Sequence, residues 1–420
     1  MSRRVAVLHH RRSFFPLELR KAVGEVAELV WVLVDDDPED RRIRPLLERI
    51  GDVIQISSGD LESALRVLAG ADLQGIATFV DDHLILTSSL ADRLGLIHHP
   101  PGVAAVIRDK GKQRAALDAA GVPGPRFWSL HAGMDAQSLT TAVSGATYPA
   151  VLKPVHGSAS RGIVAVESED QLLELYDERI DQLLEEHMLD DPSSDPRFAS
   201  YLSVESVVSH ARISHVAITG RFPLAPPYRE TGNFSPASVP AGQHVQILEL
   251  ATAGIDALGI RDAVVHVEIK LTPDGPRLIE INGRVGGRPP FLLLKNTDVN
   301  LFAIACRIAL GETVEFDAPA DCRGLSFWRM IQPPLSARRV REIHGIDELR
   351  AEKWVDSLSV KRGAGQTVDP EEGTDGAVAA VTGTVSSLEE LASAIASVDR
   401  TLNIEYDHAP PAVDLRRDRP

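Results

Sequence analysis

Cysteine is nearly absent: two of 420 residues, Cys306 and Cys322. Their spacing matches neither a zinc site nor a redox pair, and two residues build no disulfide scaffold. A reduced, cytoplasmic setting is the expectation. Positive charge is also short, with 44 Lys and Arg against 60 Asp and Glu, a net charge of −16 and a pI near 5.3. No basic stripe offsets the acid, which argues against nucleic acid as the main partner. No apolar run approaches the roughly 18 residues of a membrane span. The apolar stretch Val5–Leu8 is too short for the core of a signal peptide. Neither a GxGxxG fingerprint nor a Walker loop is present, and no repeat stands out at solenoid periods.

What is present is ordinary for a soluble globular protein: 44% apolar and 25% charged residues. The length implies two to four domains. Val5–Leu8, Leu29–Val34, Val53–Ile56 and Gly75–Val80 read as strands alternating with helices, one of them capped by Ser58 over Asp60–Ala69. That alternation predicts a parallel sheet with helices on both faces. His9-His10 and Asp81-Asp82 fall at its C-terminal strand ends, where a substrate edge, a helix cap or plain solvation would each place them.

Ile107–Ala120 reads as a helix with Lys110, Lys112 and Arg114 on a solvated face. The strand PAVLKP at Pro149–Pro154 then delivers Lys153 to the loop HGSASRG, His156–Gly162, ahead of a second strand at Ile163–Val166. Such a loop folds over phosphates as readily as it makes a flexible hairpin. Tyr201–Val208, carrying Glu205, and Ile213–Ile218 read as antiparallel strands. Pro223–Pro240, rich in Pro, Gly and Ser, encloses Arg229-Glu230-Thr231-Gly232-Asn233. Ala320–Asp407 reads as a small α+β domain, and 408–420 as a disordered tail.

The richest stretch is VVHVEIKLTPDGPRLIEINGRVGGR, Val264–Arg288. A hairpin centred on Asp274, with Gly275 left-handed in a three-residue loop, puts Glu268 directly across from Glu280 and Asn282 one step along. Leu278, Glu280 and Asn282 are expected on one face. Facing residues sit roughly 5 Å apart, so two carboxylates there need a proton or a cation between them. With an amide oxygen they form a hard, oxygen-only set suited to magnesium; a solvated sheet face is the competing reading. Arg284 and Gly286-Gly287 add a cation and exposed backbone N–H groups, suggesting a phosphate pocket.

Three motifs in order, RDKGKQRAALDAAGVPGPR, PAVLKPVHGSASRGIVAV and VEIKL…RLIEINGR, resemble the ATP-grasp superfamily of carboxylate–amine ligases, most of all its dipeptide-forming L-amino-acid ligase branch. The resemblance implies an α/β and α+β multidomain protein. Its parts are a Rossmann-like pre-grasp domain (1–106), a small grasp lobe (107–200), a catalytic lobe (201–318) and a C-terminal α+β domain (319–407). It implies Lys110 and Lys153 on the ATP phosphates and Ser158, Ser160 and Gly162 in the covering loop. Glu185, Glu186 and Met188 fall at the adenine hinge, with Glu205 near the ribose. Glu268, Glu280 and Asn282 would hold magnesium, with Glu230 adding a further ligand from its loop. Two Mg2+ ions are implied, with Mn2+ as a substitute. Arg284, Lys153 and Glu230 are the catalytic candidates, Arg284 for the acyl-phosphate. Arg288, Gly287 and Asn233 are the substrate candidates. Asn233 stands where that branch usually has histidine, and basic Arg288 where it tends to be apolar. The implied activity is ATP-dependent amide formation between a small-molecule carboxylate and amine, by analogy in a homodimer. A peptide-tail, amino-sugar or ribotide ligase is the alternative, and behind it a nucleotide-binding regulator without turnover.

Overall fold

The computed structural model describes residues 3–10, 13–35 and 37–408. The N-terminal unit is a parallel sheet of β1 (Arg4–His9), β2 (Glu28–Val34), β3 (Asp52–Ile56) and β4 (Gly75–Thr78), in the order β3-β2-β1-β4. Runs such as LVWVLV are apolar throughout because both faces are covered. One face packs on Leu65, Leu68 and Leu90 from its own helices. Across the other, Trp31 and Phe79 share a core with Phe302 and with Val207 and Val216 of the large sheet described below. Asp60, not Ser58, caps the helix Leu61–Ala69, accepting the N–H of Ser63, while Ser58 hydrogen-bonds Asp35.

The expected helix over 107–120 is two helices, Pro101–Arg108 and Lys110–Ala119. Asp109 separates them with extended backbone, and its carboxylate accepts the Lys112 N–H. A cap of this kind competes with helix continuation. Lys110 is thereby placed at the first position of a new helix.

The small lobe is the antiparallel sheet β5-β8-β6-β7, from β5 (Phe127–Leu130), β6 (Ala150–Pro154), β7 (Val164–Val166) and β8 (Gln182–Glu186). The remaining strands are β9 (Tyr201–Ser209), β10 (Arg212–Arg221), β11 (Gly232–Ser235), β12 (Ala263–Thr272), β13 (Gly275–Asn282), β14 (Leu325–Ile331), β15 (Ala337–His344), β16 (Val355–Val360), β17 (Ala379–Val385) and β18 (Asn403–His408). Eight of them form one sheet, ordered β13-β12-β9-β10-β11-β14-β17-β16. The segment after residue 319 thus extends the large sheet through β14, while β15 and β18 form a separate ribbon. His408 closes β18, and the rest of the expected tail, 409–420, lies outside the described residues. Among the described residues no helix is long and apolar enough to cross a membrane.

The β12–β13 hairpin departs from its expected form in one respect. Thr272 pairs with Gly275, leaving a two-residue turn, and the register shifts between Glu268 and Ile269. Ile269 opposes Leu278, whereas Glu268 opposes Glu280, so Ile279 is the extra residue of a bulge. The bulge flips the pleat. Leu278 joins Ile281 in the apolar core under helix His244–Ala257, rather than facing the same way as Glu280. A Cβ on Gly254 of that helix would lie within 3 Å of both side chains. Glu268 and Glu280 remain opposed.

Candidate active site

The site is built on one face of the large sheet. Glu268 lies across from Glu280 on one side and from Ser203 on the other, and His266 across from Asn282 and Glu205. Among the described residues, no three His, Cys, Asp or Glu side chains are grouped to hold a metal ion. Glu268 and Glu280 present a pair of carboxylates, with Asn282 one step along. Magnesium suits such a pair when substrate phosphates and water fill its remaining positions.

Beneath this pair is a network that joins three expected site residues, Glu205, Glu230 and Glu268, to two cations that were not expected, His266 and Arg221. His266 donates through Nδ1 to Glu205 Oε1 at 2.8 Å, and its Nε2 lies 3.5 Å from Glu268 Oε1. Burial would lower its pKa, but the two carboxylates raise it to about 9. Burial likewise would raise Glu268, which hydrogen bonding and charge from His266 bring down to about 2. Arg221 adds a second cation, donating to Ser203 at 3.0 Å and to Glu230 at 3.3 Å. Glu205, expected near a ribose, is engaged with other side chains. It is fully buried and bound to His266 and Ser203, because the two-residue period turns it to the same face as Ser203. Gly286 passes so close overhead that a Cβ would lie 2.6 Å from His266 Nδ1.

Of three basic residues in the site, Lys110 meets this pair while Lys153 and Arg114 meet Glu185. Lys110 Nζ donates to Glu280 at 2.9 Å and to the Gly157 carbonyl at 3.1 Å, joining the carboxylate pair to the loop 156–162. Lys153 Nζ is 2.7 Å from Glu185. Arg114, expected on a solvated face, is 4% exposed, and its guanidinium explains the bulge. It donates to Glu185 at 2.7 Å, to the carbonyl of Leu278 at 3.3 Å and to that of Ile279, the bulge residue. Gln113 exchanges two hydrogen bonds with the backbone of Ile281. β13 is an edge strand, so this helix face satisfies backbone groups that would otherwise be left open. Lys110, Gln113, Arg114 and Leu117 follow the i, i+3, i+4, i+7 spacing of one helix face.

Burial alone would raise the Glu185 pKa, yet Arg114 and Lys153 hold it down at about 2. Its carboxylate is therefore an anchor for the lysine. Glu186 ends β8. Arg126 directs its N–H to the Glu186 carboxylate, and Glu186 is also paired with Arg277. Half-buried Met188 lies two residues past the strand end.

Ser158, Ser160 and Gly162 lie in the loop between β6 and β7. Ala159, Ser160 and Gly162 all have left-handed backbone, with φ of 57°, 57° and 69°. The loop is tied to the C-terminal segment: Arg161 pairs with Asp375 at 3.0 Å, and the Thr374 N–H donates to the Ala159 carbonyl. Thr374 Oγ1 also accepts the Glu230 N–H. One short stretch thus contacts both loops expected to cover the site. Arg284 arrives from the other direction. Its guanidinium grips the buried Asp81 carboxylate of the parallel-sheet unit, at 3.0 Å for Nε and through Nη2 as well. Asp81 is therefore the anchor of Arg284. Arg288 and Asn233 lie farther along the same face, with exposed Gly287 beside Arg288.

Opposed carboxylates, two lysines and a Gly/Ser loop are groups able to take a magnesium–triphosphate. Residues 107–288 match the family described as the ATP-grasp domain.

This chain carries an ATP-grasp domain.

Relatives and solved structures extend the likeness beyond that domain. The chain is 27% identical over 309 residues to carnosine synthase 1 of Mus musculus, covering 66% of this chain and 37% of that protein. It is 24% identical over 251 residues to the alanine–anticapsin ligase of Bacillus subtilis, covering 54% of this chain and 52% of the other. The chain thus spans about half or less of these relatives. The crystal structure of an L-amino acid ligase from Bacillus licheniformis superposes with a TM-score of 0.77 at 19% identity, covering 97% of this chain and 99% of that one. The shared architecture therefore includes the parallel sheet and the C-terminal segment as well as the ATP-grasp domain.

Proposed function

We propose that the protein is an ATP-dependent carboxylate–amine ligase that joins amino acids or amino-acid-derived metabolites, releasing ADP and phosphate. The observation that carries this reading is the opposition of Glu268 and Glu280 on a face that also receives Lys110, Lys153 and Arg284. The names of the relatives, including an alanine ligase and an L-amino acid ligase, support the substrate class.

In this reading a substrate carboxylate attacks the γ-phosphate of ATP, giving an acyl-phosphate and ADP. The amine then attacks the acyl carbon, and phosphate leaves as the amide forms. Glu268 and Glu280, with Asn282 and Glu230, would hold magnesium, which when bound neutralises phosphate charge. Lys153 and Lys110 contact the phosphates, and the Glu186–Met188 end of β8 meets the adenine. Arg284, held by Asp81, faces the transferring group. Catalysis here is placement and fixed charge, with little side-chain proton transfer. The loop 156–162 and the Glu230 loop exclude water from the acyl-phosphate.

The test is ADP release from Mg·ATP across a matrix of amino acids, singly and in pairs, with product masses. Release that requires a pair and yields the matching condensed mass is the expected result. Glu280→Gln should lower it by about a hundredfold or more. ADP release at the wild-type rate in that variant would remove the metal assignment.

A further inference from the structure

Beyond the metal pair, the same sheet face carries a second cluster of positive charge. Arg221 pairs across the strands with Asn233, and Asn233 with Trp328. Directly opposed residues share a face, so Trp328 stands on the metal-bearing side, two strands from Arg221. At the usual strand spacing that is roughly 10 Å. The Arg288 guanidinium lies 4.9 Å from the Trp328 ring centre and 5.3 Å from that of Phe291. Lys361, just past β16, brings its ammonium to 5.9 Å from the same indole.

Neither cation is neutralised. Among the described residues no carboxylate lies within 4.0 Å of Arg288 or Lys361, whereas Arg284, Arg221, Lys110 and Lys153 each have one. The nearby acids are engaged elsewhere, Asp375 with Arg161 and Glu372 with Arg362. Glu18 acts on Arg288 only at longer range. Burial holds the Arg288 guanidinium below its usual range, and desolvation followed by the Arg288 charge does the same to Lys361. Two cations have been brought together against rings that fix their position and leave their N–H groups open. Across from Trp328 stands Asn233, 2% exposed.

We infer that Arg288 and Lys361, mounted on Trp328, form a receptor for a substrate carboxylate that is not consumed in the reaction. The inference rests on the ligase reading and narrows its substrate class: one of the two partners is anionic at the end remote from the forming bond. A planar guanidinium offers two parallel donors to a carboxylate, and the ammonium adds a point charge. The anion could be the α-carboxylate of the amine donor or a side-chain carboxylate of the acyl donor. Arg288 is the last residue of the 107–288 match, whereas Lys361 and Trp328 lie outside it, so this selectivity is shared between the ATP-grasp domain and the C-terminal segment.

The experiment compares wild type with Arg288→Met and Lys361→Met, both checked for thermal stability and Mg·ADP affinity. ADP release is measured with Glu against Gln, with Asp against Asn, and with amine donors as α-carboxylates against α-carboxamides. The wild type should show a KM about ten- to a hundredfold lower for the anionic member of one of these comparisons. The comparison that responds identifies which carboxylate is held. In Arg288→Met that preference should largely disappear, and in Lys361→Met it should weaken. Calorimetric binding of glutarate with Mg·ADP present provides a readout independent of turnover. If ADP is released but both variants keep the wild-type preference, the receptor is wrong and the ligase reading stands. If no pair releases ADP while glutarate binding depends on Arg288, the receptor stands and the ligase reading falls. Glutarate affinity equal in all three proteins would overturn the receptor.

Discussion

Arg114 is where nucleotide chemistry and hairpin geometry meet in a single side chain. It fixes Glu185, which fixes Lys153, and it also holds the Leu278 and Ile279 carbonyls at the bulge, past which Glu280 stands opposite Glu268. Arg114→Met leaves the bulge carbonyls unpaired and Glu185 with only one of its two cations. The expected cost is about 3–5 kcal/mol, measured by urea unfolding at pH 7. Arg114→Lys should recover only part of it, since one ammonium cannot reproduce a planar fork. Glu185 also makes stability depend on pH. Its folded pKa of about 2 lies below its usual 4.5. Its contribution is therefore complete above pH 4.5 and is lost as pH falls from there toward 2. The depression corresponds to about 3 kcal/mol. Unfolding curves collected from pH 5 down to 3 should steepen in wild type relative to Glu185→Gln. Equal slopes would mean that Glu185 is not held ionised in the fold.

Among the elements, the loop 156–162 shows how the C-terminal segment reaches the chemistry. Gly373 has a φ of 67°, and a Cβ there would lie 2.2 Å from the Ala159 carbonyl. Gly373→Ala should push the loop away and raise the KM for ATP about tenfold, with a smaller change in global stability. An unchanged KM would show that the loop does not depend on this contact. How far these elements could be read in advance depends on the interactions that place them. The opposition of Glu268 and Glu280 was legible because a strand's side-chain period is two and an Asp-Gly pair marks the turn. The bulge was not, since Leu278 and Ile279 are equally apolar and only Arg114 and helix His244–Ala257 decide between them. Arg114 itself carried a signal, four residues after Lys110 on one helix face, but charge alone made that face look solvated. The His266–Glu205 contact was hidden for a related reason: the histidine lies on a strand about sixty residues after the glutamate, and pairing across that distance leaves no local mark. The Arg288–Trp328–Lys361 cluster is assembled from three separated segments, so composition near any one of them says nothing of the other two.

For the whole molecule, the decisive link runs from the parallel sheet to Arg284. Asp81 sits just beyond β4, in a unit that the match at residues 107–288 does not include, yet its buried carboxylate grips Arg284 at the end of the metal hairpin. The nearby charges of Arg284, Arg108 and Lys110 outweigh burial and keep the Asp81 pKa lowered, so it is a carboxylate throughout the neutral range. A buried guanidinium with no such partner would bend toward Glu280 or Glu268, whose charges it already feels. In the ligase reading that would take Arg284 off the transferring phosphoryl group and crowd the metal carboxylates. Asp81→Asn keeps the shape of the anchor and removes its charge. The expected result is a fall in kcat of about ten- to a hundredfold, with the KM for ATP changed much less, because Lys110, Lys153 and the covering loop are untouched. If Asp81 served only to fasten the parallel sheet to the rest of the molecule, the substitution would lower the thermal midpoint and leave the kcat of the folded protein where it was. Measuring both quantities on the same preparation separates the two roles.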